Sequence, residues 1–75
     1  MIVSRIIMQN LPVDQTPRNL DATVNNVFHD LQSVGRGVEL KDIFAAFKEL
    51  NKTQDLVIFS NGNVIATRKG LRNYG

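Results

Sequence analysis

The stretch from Asp55 to Arg68, DLVIFSNGNVIATR, constrains the fold more than any other part of the chain. Two apolar runs, Leu56-Val57-Ile58-Phe59 and Val64-Ile65-Ala66, flank Asn61-Gly62. Asn-Gly suits the two positive-φ positions of a type I′ turn, whose twist matches a two-residue hairpin. Such a turn sets Phe59 opposite Val64, Ile58 opposite Ile65 and Val57 opposite Ala66, with Asp55 and Arg68 as a cross-strand charge pair. Alternation then sends Leu56, Ile58 and Ile65 to one face and Val57, Phe59, Val64 and Ala66 to the other. Both faces are apolar, so the hairpin needs two covers: its own helices on one side and a second surface on the other. Leu56, Ile58 and Ile65 are assigned to the core. Val57, Phe59, Val64 and Ala66 are assigned to an interface with a second copy of the chain or another protein.

The remaining elements follow from periodicity. Ile2 to Met8, IVSRIIM, is β-branched and apolar and stops at Gln9-Asn10-Leu11-Pro12, so it reads as a strand pairing with the hairpin. Thr16 and Pro17 are suited to the N-cap and first position of a helix. Leu20, Val24, Val27, Phe28, Leu31 and Val34 then share one side at helical spacing, and Gly35 offers the left-handed terminator. A second helix runs from Val38 to about Lys52, with Leu40, Ile43, Phe44, Phe47 and Leu50 as its buried stripe. The order β-α-α-β-β predicts an α+β domain, a three-stranded antiparallel sheet packed under a two-helix hairpin. Residues 1–75 form one small domain, with 68–75 as a flexible basic tail. A chain of 75 residues buries only about 60% of its surface or slightly more on folding, so association with a partner would add useful stability.

Chemistry is sparse. The chain has no cysteine, which leaves no disulfide or thiolate metal site and suits a reducing, cytoplasmic setting. Nothing reads as a signal peptide or membrane span. His29 is the only histidine and falls on the polar side of its helix, away from any second ligand at metal spacing. Ser4, Ser33 and Ser60 lie outside any nucleophile-elbow pattern, and the seven carboxylates are scattered among opposite charges. Gly35-Arg36-Gly37 follows a helix rather than a strand, so it lacks the setting of a phosphate cradle. No catalytic residue, metal, cofactor or small-molecule substrate is expected.

The net charge of +2 is unevenly placed. Residues 1 to 67 carry six basic residues (Arg5, Arg18, Arg36, Lys41, Lys48, Lys52) against seven acidic ones, and the excess sits in Arg68, Lys69 and Arg72. Lys41, Lys48 and Lys52 share one edge of the second helix, with the small Ala45 between them, where they would lie along a phosphate backbone. Arg36, Arg68, Lys69 and Arg72 would extend that basic side. The helix–turn–helix–hairpin order resembles winged-helix and lambdoid Cro repressors, and the resemblance implies a second helix and a wing that contact DNA. Against it, Glu39 and Asp42 occupy the first turn of that helix, where they suit the dipole but repel phosphate. Ile6-Ile7-Met8-Gln9-Asn10-Leu11-Pro12 is similar to the first RNA-contacting strand of RNA-recognition-motif domains. Ile7 stands where that family places a stacking aromatic, so the stretch is taken as a strand ending in a turn.

Taken together, these features favour a small non-enzymatic regulatory or inhibitory protein of the kind phages and mobile elements encode. It would act by protein–protein contact and as a homodimer. A small DNA-binding transcriptional regulator is the alternative. A third helix in place of the N-terminal strand would favour that alternative.

Overall fold

Ser4, Ile7, Met8 and Leu11 recur at the i, i+3, i+4, i+7 spacing of a helix, and in the computed structural model, which describes residues 2–75, they are buried together. Ile2–Gln9 is accordingly the helix α1, not a strand. The β-branched composition that favours a strand is overridden by packing, because α1 lies against three other helices. Asn10 closes it. Its side-chain amide donates to Ile6 O at 2.9 Å and to Asp30 Oδ2 at 3.0 Å, tying the end of α1 to the helix that follows. The stretch similar to an RNA-contacting strand is therefore helical as far as Gln9, and its Leu11 is buried just past the helix end.

Thr16 is not a helix cap. Its N–H and hydroxyl both donate to Asp14 Oδ1, at 3.0 and 2.7 Å. These bonds, the hydroxyl's first, hold the exposed Asp14 carboxyl below its ordinary value of 3.8. The chain then runs extended through Arg18–Asn19, the two-residue strand β1, before entering α2 at Leu20–Ser33. Asn19 serves both elements: it pairs with Asn63 of the hairpin, and its Oδ1 accepts from Ala22 N at 2.9 Å as the N-cap of α2. The C-terminus of α2 follows the expected pattern. Gly35 takes φ +76°, Gly35 N donates to Gln32 O and Arg36 N to Leu31 O, the two bonds of a Schellman cap.

The second long helix, α3, spans Leu40–Lys52 and buries Ile43, Ala46, Phe47 and Leu50. It ends in the same motif without the glycine. Gln54 N donates to Asn51 O and Asp55 N to Leu50 O, while Gln54 itself sits at φ +65°. A side chain in that region costs about 1–2 kcal/mol. Gln54→Gly is expected to raise stability by about 0.5–1 kcal/mol, a rise of roughly 2–8 °C in melting midpoint, once glycine's extra unfolded-state freedom is deducted. An unchanged or lower midpoint in a thermal melt would contradict this.

The strands β2 (Leu56–Ile58) and β3 (Asn63–Ala66) form the expected hairpin, but with a different turn. Gly62 N donates to Phe59 O at 3.0 Å and Phe59 N to Asn63 O at 2.8 Å, enclosing a three-residue loop, Ser60 to Gly62. Gly62 alone is left-handed, at φ +89°, and Asn61 instead accepts the Asn63 N–H on its side chain. This is the type I turn with a glycine bulge rather than the type I′ turn. The register moves by one residue: Leu56 faces Ala66, Val57 faces Ile65 and Ile58 faces Val64. One residue of slip flips half the hairpin. Leu56, Ile58, Val64 and Ala66 now share the inner face, and Val57, Phe59 and Ile65 the outer one. The core gains from this arrangement, since Leu56, Val64 and Ala66 are all completely buried.

β3 is the central strand, with β1 and β2 antiparallel on either side. The last element was expected to be a loose tail and is a helix, α4, Arg68–Tyr74. Thr67 Oγ1 accepts from Gly70 N as its cap, and Leu71 and Tyr74 pack on the core. Asp55 does not pair with Arg68. It is buried, with Oδ2 accepting from the Thr53 hydroxyl at 2.6 Å and Oδ1 from the Asn73 amide at 2.9 Å. The described residues form an α+β domain of four helices and a three-stranded antiparallel sheet, in the order α1-β1-α2-α3-β2-β3-α4.

Candidate nucleic-acid interface

Helical geometry turns Lys41, Ala45, Lys48 and Lys52 directly away from Ile43, Ala46, Phe47 and Leu50. All four outward residues are exposed. The basic edge expected from the spacing is thus the outermost line of α3. Two flanks border it: Asp42 and Glu49 on one side, and Leu40, Phe44 and Asn51 on the other. Phe44 is 37% exposed.

Asn51 sets the hairpin against this helix. Its Oδ1 accepts the Ile58 N–H at 3.0 Å, so the outer edge of β2 is fastened to the flank of α3 in its last turn. Nothing in the sequence spacing marks Asn51 for this role, since its partner is a backbone group seven residues on. At the other end of α3, Lys41 Nζ lies 3.2 Å from Glu39 Oε2, both side chains being well exposed. Glu39 is also the N-cap residue, and its N–H faces Asp42 Oδ2 at 3.4 Å.

Arg36 is exposed in the turn between α2 and α3. Arg68, Lys69 and Arg72 are exposed on α4. Lys69 Nζ donates to Thr53 O, the carbonyl of the α3 C-cap, which brings the first turn of α4 beside the end of α3. The expected protein interface divides. Phe59 is 42% exposed and Val57 is half-buried on the outer face, whereas Val64 and Ala66 are fully buried on the inner one and form no surface. Ile65, assigned to the core by the two-residue register, joins Val57 and Phe59 outside.

Other chemistry stays dispersed. His29 is exposed and makes an edge-on contact with Phe28, ring centroids 6.0 Å apart. Among the described residues no three His, Asp or Glu side chains come together as a metal site. No helix among them is long and apolar enough to cross a membrane. Comparison of the chain with protein-family models, with curated protein sequences and with solved structures finds no match.

Proposed function

We propose that the protein binds duplex DNA as a small winged-helix regulator, with α3 in the major groove and the β2–β3 hairpin as the wing. The observation that carries the reading is the outward line of α3: three lysines and one alanine on the second helix of a helix–turn–helix, backed by α1 and followed directly by a hairpin. The third helix is what distinguishes this order from a sheet under a helical hairpin. At thirteen residues, α3 is about 20 Å long, and a helix about 10–12 Å across fits the ~12 Å groove of B-form DNA. The outward lysines without a carboxylate partner among the described residues, Lys48 and Lys52, would neutralise phosphates and release counterions.

Fluorescence anisotropy on a mixed-sequence duplex tests the proposal. A log–log plot of affinity against salt should fall with a slope of about −3 or steeper if three or more phosphates are contacted. An affinity indifferent to salt would remove it. A second reading rests on the outer hairpin face, where Val57, Phe59 and Ile65 leave apolar surface in solvent. There the protein would work by contact with a second copy or another protein, and salt would matter little.

A further inference from the structure

We infer that DNA is held by the C-terminal half of α3 together with the first turn of α4, while the N-terminal end of α3 stands off the duplex. This rests on the DNA-binding reading and refines which surface does the binding. Helix–turn–helix proteins ordinarily lead with the N-terminal end of the second helix. Here that end is electrically neutral. Arg36 and Lys41 are matched by Glu39 and Asp42, and Lys41 is in contact with Glu39 at 3.2 Å. An exposed ion pair of this kind adds little to folding stability. Against a phosphate it matters more, because bringing Lys41 to DNA carries the Glu39 carboxylate with it.

The opposite end is positive. Lys48 and Lys52 on α3 and Arg68 and Lys69 on α4 face a single exposed carboxylate there, Glu49. Asp55, the other acid nearby, is buried and turned inward onto Thr53 and Asn73. The bond from Lys69 to Thr53 O sets the first turn of α4 beside the end of α3, which brings both groups of cations to the same end of the domain. Arg72, one turn along α4, is exposed and extends it. The two ends are also electrostatically separate. Asp42, the carboxylate nearer the centre of α3, lies about 15 Å from Lys52 along the helix axis, beyond the ~10 Å screening length at 0.1 M salt, and about 9 Å from Lys48. The carboxylates at the N-terminal end therefore leave the field at Lys52 and α4 nearly intact. Between the two, Ala45 presents no long side chain to hold the helix off the groove.

Salt-dependent anisotropy on a mixed-sequence duplex, run with single alanine variants of these exposed residues, decides it. Lys48→Ala, Lys52→Ala and Arg68→Ala should each reduce the magnitude of the slope by about 0.9, the value for one lost phosphate contact, and Lys41→Ala should leave it unchanged. Thermal melts matching the wild type confirm that each variant is folded. If Lys41→Ala flattens the slope as much as Lys48→Ala does, the N-terminal end is in contact and the inference is overturned while DNA binding stands. A wild-type affinity that does not respond to salt overturns both.

Discussion

Val64→Asp is expected to abolish the folded state, and Phe59→Asp to leave it in place. Val64 is fully buried beside Leu56, Ile58 and Ala66, so a carboxylate there loses its solvent, and Arg18, the cation opposite on β1, is itself exposed to water. The cost is several kcal/mol. A domain of this size has about 5 kcal/mol in total, near the lower end for folded proteins. Phe59 is 42% exposed, and a charge in its place meets water, with an effect within about 0.5 kcal/mol. Circular dichroism melts separate the outcomes. The pair also tests the turn itself. With a two-residue loop Val64 and Phe59 would share one face and respond alike, whereas the three-residue loop closed by Phe59 N to Asn63 O puts them on opposite faces. Equal melting behaviour of the two variants would refute the observed register. Light scattering on Phe59→Asp also reports whether the outer face joins two copies.

The next largest effect is expected at Gly70. A Cβ on this residue would overlap the backbone carbonyl of Asp55 and press on the terminal methyl of Met8. The carbonyl belongs to the corner that fastens α4: Thr67 N donates to Asp55 O, Asn73 to the Asp55 carboxylate and Lys69 to Thr53 O. Gly70→Ala must push the helix outward and loosen all three. Overpacking of this kind costs about 1–3 kcal/mol, and a helix of seven residues does not persist without its contacts. The melting midpoint should fall by roughly 4 °C or more. Hydrogen exchange should show α4 losing protection while α2 and α3 keep theirs. Retained protection in α4 with an unchanged midpoint would show that the close approach is dispensable.

The two long helices were legible because their evidence is local and redundant. Val24, Val27 and Leu31 on α2, and Ile43, Phe47 and Leu50 on α3, repeat at one period over several turns, and Gly35 ends the first with a left-handed cap. α1 was ambiguous for a physical reason. Its eight residues hold barely two turns, and the run Ile2-Val3 and Ile6-Ile7 has the composition of a strand; its identity is settled by three helices packing around it. β1 carries no signal of its own, since Arg18 and Asn19 are both exposed and gain their strand conformation only from Val64 and Asn63 opposite. The hairpin was legible as a hairpin but not in register. Asn61-Gly62 permits two loops of different length, and the one adopted collects Leu56, Ile58, Val64 and Ala66 on the core side. α4 was hidden by Gly70, a poor helix former that is there for close approach. In the candidate interface the lysine line of α3 could be read from spacing. The Glu39–Lys41 contact and the Lys69–Thr53 bond could not, because each depends on how an element ends.

The bond from Ile58 N to Asn51 Oδ1 has a bearing on what can add to the edge of the sheet. In an antiparallel ladder the Val57 and Phe59 amides turn toward β3, which leaves the Ile58 amide facing outward on an edge strand. An edge amide of that kind is a template on which a strand from another molecule can be laid down, the first step toward open-ended stacking. Asn51 occupies it. With the Ile58 amide taken, the β2 edge offers an incoming strand one pairing group fewer, and extension of the sheet along it is discouraged.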